Sequence, residues 1–211
     1  MKLVVFGATG RTGRRVVEQA LEAGHAVTGI ARTPAKLNRT HERLTLVQGD
    51  ILDYDSFASV LQGQDVVVST VGKGAVFGSV KLYSEGIENV IRAMEEYGLS
   101  RLIAITSGGT YPGWDDNNSI FYELLIKRVI LRGEYADMRR MEERIAETDL
   151  EWTIVRPSGL SDEDGTGAYH VKVGYSLPAS NTTRRDDLAE FIVDELESNQ
   201  HPRQGVAVVN I

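Results

Sequence analysis

Leu3-Val4-Val5-Phe6-Gly7-Ala8-Thr9-Gly10-Arg11-Thr12-Gly13 joins a short apolar run to three evenly spaced glycines. Apolar residues at helical spacing follow at once, at Val16, Val17, Ala20 and Leu21, which gives the order strand, turn, helix. Each glycine has a physical task. Gly7 permits the tight turn off the strand, Gly10 lets the backbone approach a pyrophosphate, and Gly13 lets the helix lie on the strand with no Cβ between them. The helix N-terminus then presents N–H groups and the positive end of its dipole to phosphate oxygens. The spacing is G-x-x-G-x-x-G rather than G-x-G-x-x-G, and a glycine triplet can also simply build a turn. The strand before it and the helix after it make this one a nucleotide-binding signal.

Composition narrows the setting. The 211 residues suit one domain, long enough to bury a core without staples. Hydrophobic residues make up 42% and charged residues 25%, as in ordinary soluble globular chains. The absence of cysteine excludes disulfides, thiolate catalysis and Cys-ligated metals, and fits a reducing compartment. A net charge of −7 argues against a nucleic-acid surface. His25, His41, His170 and His201 have no ligand spacing, so no metal site is expected. No apolar run approaches the roughly 18–20 residues that span a bilayer. No signal peptide precedes the strand beginning at Lys2, so the expected address is the cytoplasm, with no membrane partner.

Beyond the glycine turn, Gly24 ends the first helix and Ala26 to Ala31 reads as a second strand. Its end carries Arg32, with Lys36 four residues on, where NAD-preferring folds commonly place an acid for the ribose 2′-hydroxyl. A carboxylate repels a 2′-phosphate, whereas an Arg fork and a Lys attract one, so the pair argues for NADP(H); the plainer reading is two solvated loop charges. Leu44 to Val47 is a third strand, closed by Gly49-Asp50. Asp50 and Ile51 stand where a fold of this type flanks adenine, although Asp50 also suits a helix cap. Tyr54 to Leu61 reads as a short helix, Asp65 to Thr70 as a buried fourth strand, and Val71-Gly72 leave room for ribose and phosphates.

A long helix from Val80 to Tyr97 precedes a fifth strand, Arg101 to Thr106, and then Ser107. Ser119 to Thr148 is helical in pattern and broken near Gly133. A sixth strand, Trp152 to Arg156, stops at Pro157. Ser158 to Gly167 is acidic and reads as a mobile loop, Ala168 to Val173 as a half-exposed strand, Arg184 to Leu196 as a helix and Gly205 to Ile211 as a last strand. The alternation demands parallel strands with right-handed crossovers. The expected fold is α/β, a Rossmann-like doubly wound parallel sheet with helices on both faces. It forms a single NAD(P)-binding domain over residues 1–211, with the substrate region in loops at about 107–118 and 157–180. Gly7 to Gly13, Arg32, Asp50, Gly72, Ser107 and Pro157 all fall at the carboxyl ends of strands, where the ligand crevice of such a sheet lies.

These residues resemble the atypical short-chain dehydrogenase/reductases, and within them the NmrA-like group and the biliverdin reductase B/flavin reductase family. The resemblance runs nearly end to end. It includes the glycine opening, Arg32 with Lys36, Gly49-Asp50, Ser84-Glu85-Gly86 and Ile105-Thr106-Ser107. It continues through Trp152-Thr153-Ile154-Val155-Arg156-Pro157, Gly167-Ala168-Tyr169 and Arg185-Asp186-Asp187-Leu188. It implies an NADP-dependent reductase of flavins or linear tetrapyrroles, or an NADP-sensing relative. Thr9, Arg11 and Thr12 would hold the diphosphate, Arg32 and Lys36 the 2′-phosphate, Asp50 and Ile51 the adenine, and Ser107 the nicotinamide neighbourhood. The flavin reductases carry a histidine shortly after the sixth strand, where this chain has Gly159.

The wider superfamily pairs Tyr with Lys at i,i+4 for proton transfer. Here Tyr122 is followed at that spacing by Ile126, with Lys127 one place too far, and Tyr135 by Arg139. Tyr135 and Arg139 read as helix-surface residues first and as a substitute pair second. Hydride transfer to a flavin needs no protein acid, because solvent supplies the proton and the protein supplies proximity. Ser107 is the candidate for positioning the nicotinamide or the acceptor, against the reading that it merely ends a strand. Trp114 and Tyr111 either form a lid over a flat ring or anchor their loop. Glu142, Glu143 and Glu147 with Arg139, Arg140 and Arg144 read as solvated helix pairs, and Asp162-Glu163-Asp164 as a solvated loop rather than a cation site.

Two functional readings follow. One is an NADPH-dependent reductase of a flat conjugated acceptor: flavin-like, with linear tetrapyrroles and quinones in the same class. The other is a non-enzymatic NADP(H) sensor acting through a protein partner. A sugar-nucleotide epimerase is disfavoured by the missing Tyr/Lys pair and the small C-terminal region. A monomer is the default.

Overall fold

The computed structural model describes residues 1–72, 81–114, 119, 121–175 and 182–211, with the backbone alone at 122. Strand β1 (Lys2–Phe6) runs through the glycine turn into helix α1 (Arg11–Glu22) and back to β2 (Ala26–Ala31). The return is a Schellman turn. Gly24 takes φ +93°, its N–H donates to the Leu21 carbonyl (3.1 Å), and the His25 N–H donates to the Ala20 carbonyl (2.9 Å). β3 (Leu44–Gln48), β4 (Val66–Ser69), α2 (Leu82–Tyr97) and β5 (Arg101–Ile105) follow. A π-helical segment (Tyr122–Ile130) then leads into α3 (Arg132–Ala146) and β6 (Glu151–Pro157). β7 (Gly159–Ser161), β8 (Tyr169–Val173), β9 (Thr182–Arg184), α4 (Arg185–Ser198) and β10 (Gln204–Asn210) complete the order.

Eight strands form one sheet in the order β3-β2-β1-β4-β5-β6-β10-β8, and β7 pairs with β9 in a small separate ribbon. Alternation along β1 shows why this sheet is buried on both faces. Val4 and Phe6 pack with α2 and α3, whereas Leu3 and Val5 pack with α1 and α4. The chain leaves β1 toward β2 and β3 on one side and resumes at β4 on the other. The order therefore reverses between β2 and β4, and in sheets of this kind ligands bind outside the carboxyl ends of the strands at such a reversal.

The doubly wound parallel architecture is as expected, with local differences. β8 runs antiparallel to β10 at the sheet edge, where a half-exposed strand is accommodated on one face. Tyr54 to Leu61 forms two 3₁₀ turns, Tyr54–Ser56 and Ala58–Leu61. Phe57 between them turns into the core and meets the Phe6 ring edge-on at 4.8 Å. The long helical pattern breaks at Leu131, where the π-helical segment meets α3. The acidic stretch expected as a mobile loop contains β7, held by its pairing with β9. Among the described residues, no helix is long and apolar enough to cross a membrane.

Candidate functional site

The glycine turn is built by close approach. Gly7 takes φ +77°, and its N–H donates to the Ile30 carbonyl at 3.1 Å. A Cβ on Gly13 would lie 2.2 Å from the Gly7 carbonyl oxygen and 2.7 Å from Thr70 Oγ1, so α1 seats on the strand end only through this glycine. Gly10 is the N-cap of α1 and supplies no side-chain cap, and the first helical turn carries no acid. The N–H groups of Arg11, Thr12 and Gly13 lie in that turn, where helix geometry provides no intrahelical acceptor. An uncapped N-terminus with no competing carboxylate in its first turn is a donor set that fits a diphosphate. Thr12 is buried beside it and Thr9 half-buried.

Arg32 is exposed directly after β2, and Lys36 is exposed within a 3₁₀ turn, Pro34–Leu37. Arg14 links the glycine turn to that 3₁₀ turn. Its Nε donates to the Thr9 carbonyl (3.0 Å) and its Nη2 to the Lys36 carbonyl. Sequence reading missed Arg14, which one place after Gly13 looks like any solvent-facing helix residue.

After β3, Asp50 Oδ1 accepts from the Leu52 N–H (3.1 Å) and the Asp50 carbonyl from the Asp53 N–H (2.8 Å). The carboxylate orders its own turn, and the N-cap of the next 3₁₀ turn is Asp53. Ile51 is buried against α2, where a Cβ on Gly86 would stand 3.0 Å from Ile51 Cγ2. Val71 packs on the same core cluster. Gly72 is exposed, and a Cβ there would meet nothing within 4 Å.

Ser107 opens a tight 3₁₀ turn, Gly108–Thr110. Its Oγ accepts from the Gly109 N–H (3.1 Å), and its carbonyl accepts from the Thr110 N–H (3.1 Å) and the Thr110 hydroxyl (2.8 Å). A hydroxyl that accepts still has its hydrogen to donate. Pro157, buried at the end of β6, lies alongside: a Cβ on Gly108 would be 3.6 Å from the Pro157 carbonyl and 2.9 Å from that of Tyr175. Tyr135 and Arg139, expected on the helix surface, face this turn instead. Tyr135 is buried, with its ring where a Gly109 Cβ would stand (2.3 Å to Cζ), and Arg139 Nη1 donates to the Thr110 carbonyl (3.3 Å). The Tyr122 side chain lies outside the described residues, as do 115–118 of the loop after Trp114 and 176–180 of the second substrate loop. Tyr111 stacks at a tilt on Tyr175 (5.4 Å between centroids), whereas Trp114 is 41% exposed with the Arg128 guanidinium 5.7 Å from its ring. Of the two loop aromatics, Tyr111 is the anchor.

Glu142 corrects the sequence reading most. It is buried, not solvated, and its carboxylate takes a two-point contact from Arg156: Nε to Oε1 at 3.1 Å and Nη2 to Oε2 at 2.9 Å. The neighbouring charges pair elsewhere, Arg140 with Asp137 and Arg144 with Glu88. The acidic stretch is also corrected. Asp162 sits in an arginine cluster, bonded to Arg11 and to Arg185 Nη1 (2.9 Å), with Arg15 Nη2 at 3.6 Å. Burial first, then the charges of Arg11 and Arg15, hold Arg185 below its ordinary pKa. Among the described residues, no group of three or more His, Asp or Glu is arranged for a metal.

The model of a family described as NAD(P)H-binding matches residues 7–199. The chain belongs to this NAD(P)H-binding family. A chloroplastic Arabidopsis thaliana protein, described as uncharacterized, is 27% identical over 99% of this chain and 76% of its own length. A Streptococcus pneumoniae protein described as a candidate NADH-flavin reductase shares the fold at TM-score 0.81, with 21% identity and 100% of both chains covered. A wide-type short-chain dehydrogenase/reductase from Veillonella parvula, solved in complex with NADP, shares it at TM-score 0.78, with 17% identity over 99% of this chain and 94% of that one. Membership of the family bears out the resemblance to atypical short-chain dehydrogenase/reductases drawn from the sequence, and the fold is of the Rossmann-like NAD(P)H-binding type.

Proposed function

We propose that the protein is an NADPH-dependent reductase that delivers hydride to a flat conjugated acceptor, flavin-like in the first place, with linear tetrapyrroles and quinones in the same class. The observation that carries the reading is the uncapped N-terminus of α1 together with Arg32 at the end of β2 and Lys36 in the following 3₁₀ turn, with no carboxylate between them. Bound NADPH would supply the hydride. The N–H groups of Arg11, Thr12 and Gly13 hold the diphosphate, with Thr9 and Thr12 beside them. Arg32 and Lys36 hold the 2′-phosphate, Asp50 and Ile51 border the adenine, and Val71 and Gly72 leave space for the ribose. The Ser107 hydroxyl orients the carboxamide or the acceptor next to Pro157, and solvent supplies the proton. The reading takes residues 1–211 as one nucleotide-binding domain, monomeric and cytoplasmic, with a small molecule as its partner. The solved relative described as a candidate NADH-flavin reductase and the one holding NADP support the choice of chemistry.

The test is NADPH oxidation followed by absorbance against FMN, FAD, riboflavin, biliverdin and a simple quinone. Arg32→Ala and Ser107→Ala are run alongside. We expect saturable turnover. Arg32→Ala should weaken NADPH binding by about tenfold to a hundredfold, the worth of one charge-assisted contact at about 1.5–3 kcal/mol, and barely change NADH binding. Ser107→Ala should slow turnover more than it weakens binding. Equal losses for the two cofactors remove the 2′-phosphate assignment. Tight binding of NADP(H) without turnover replaces the reductase with the sensor.

A further inference from the structure

We propose that Glu142 and Arg156 are positioning residues, a buried pair that fixes the Ser107–Thr110 turn against the Gly174–Tyr175 turn and so sets hydride-transfer geometry rather than cofactor affinity. This rests on the reductase reading. Glu142 is 7% exposed, Arg156 8%, Thr106 4% and Thr110 0%. A buried ion pair stabilises a fold little better than well-packed apolar side chains of the same size, so the pair's value lies in its directed bonds. Those bonds reach the strand ends around Ser107. Thr106 Oγ1 donates to Glu142 Oε1 at 2.6 Å. The Thr110 hydroxyl lies 3.2 Å from the same oxygen and 2.8 Å from the Ser107 carbonyl, so its one hydrogen serves either. On the other side, Arg156 Nη1 donates to the Gly174 carbonyl (3.0 Å), and the guanidinium lies 3.9 Å from the centroid of the Tyr175 ring. The backbone is shaped to admit that guanidinium, because a Cβ on Gly205 would stand 2.1 Å from Arg156 Nη1. One carboxylate and one guanidinium thus join the ends of β5 and β6 to the turn that follows β8.

The test uses Glu142→Gln, Arg156→Lys and Thr110→Val in the full chain. Glutamine keeps the shape of Glu142 and removes its charge, and lysine keeps the charge of Arg156 and removes its fork. Thr110→Val leaves the Glu142–Arg156 pair intact and removes the one hydroxyl hydrogen shared between Glu142 and the Ser107 carbonyl, so it keeps the test open where Glu142→Gln does not fold. The readouts are kcat, KM for NADPH and acceptor, NADPH affinity, the isotope effect with 4-deuterated NADPH, and the fluorescence of bound NADPH. We expect kcat to fall about tenfold to a hundredfold in Glu142→Gln and Arg156→Lys, as for a misplacement near 1 Å. The fall in Thr110→Val should be smaller. NADPH affinity should stay within about threefold, the isotope effect should rise, and nicotinamide fluorescence should change. Unchanged kcat in folded variants overturns the proposal, and so does a parallel loss of kcat, cofactor affinity and melting temperature. A wild-type protein that binds NADPH without turnover overturns the reductase reading alone. Nicotinamide fluorescence then decides the pair: a change at constant affinity supports it, and no change ends it.

Discussion

Arg14 and Arg32 differ in what their surroundings ask of them. Arg32 projects from the end of β2, whereas Arg14 spends its donors on two carbonyls, Thr9 in the glycine turn and Lys36 in the next turn. Arg14 therefore holds the backbone that carries Lys36. Truncating it loosens that backbone without removing a phosphate ligand, at about 0.5–1.5 kcal/mol for a lost hydrogen bond. Arg14→Ala should weaken NADPH binding by about twofold to tenfold, less than Arg32→Ala, and leave NADH binding nearly unchanged; titration of both cofactors checks this. An equal loss for NADH would mean that Arg14 serves only the glycine turn. The exposed place of Arg32 directly after β2 was legible in the sequence, because the strand before it reads plainly from its apolar run. Arg14 and Glu142 were not: the one reads as a solvent-facing helix residue and the other as a member of i,i+3 and i,i+4 pairs, and only the packing of α1 and α3 reveals their tertiary partners.

The β1–turn–α1 unit is an element whose sequence and structure agree at every step, because one steric requirement sets both. A Gly13 Cβ would stand 2.2 Å from the Gly7 carbonyl oxygen, which is backbone and has no rotamer in which to retreat. Gly13→Ala should therefore lower stability by about 1–3 kcal/mol, or about 2–12 °C in melting temperature, and weaken NADP(H) binding as α1 is displaced. Gly72→Ala is the control, since its Cβ meets nothing within 4 Å. It should melt within about 2 °C of wild type. Thermal unfolding of the two variants together checks the contrast, and similar losses in both would contradict it. Elements set by such contacts or by long periodic runs were legible: Ala26–Ala31 begins and ends where the sequence places it. β7 and β9 were not, at three residues each, because runs that short carry no periodicity and form only where their partner is already in place. The antiparallel direction of β8 is equally invisible locally, as alternation reports which face is buried and not which way the chain runs.

Across the whole molecule, the candidate site and a second cluster of buried titratable groups stand at opposite ends of the parallel strands. The carboxyl ends carry the glycine turn, Ser107 and the Glu142–Arg156 pair. The amino ends carry Arg101 and Glu195 (3.0 Å), His201 on Glu195 (2.8 Å), and His25 just before β2. His25 is buried, with Nδ1 3.3 Å from the Met1 amino group and Nε2 3.2 Å from Glu197 Oε1. Burial of the imidazole, then the charge of the Met1 amino group, hold its pKa below the ordinary 6.5, against the opposing pull of Glu197. A histidine with a lowered folded pKa favours folding when neutral. Above about pH 6.5 neither state binds the proton and the stability is fully present. As the pH falls through 6.5 the unfolded chain takes up the proton first, and stability is lost until the pH passes the folded pKa. Melting temperatures measured from about pH 7.5 to pH 5 should therefore fall more steeply for wild type than for His25→Gln. NADPH affinity of the two proteins should follow the same pH profile, because this histidine acts at the end of the sheet away from the glycine turn. Identical melting slopes would show that His25 carries no part of the acid sensitivity, and a shifted affinity profile would show that the two ends of the sheet are coupled.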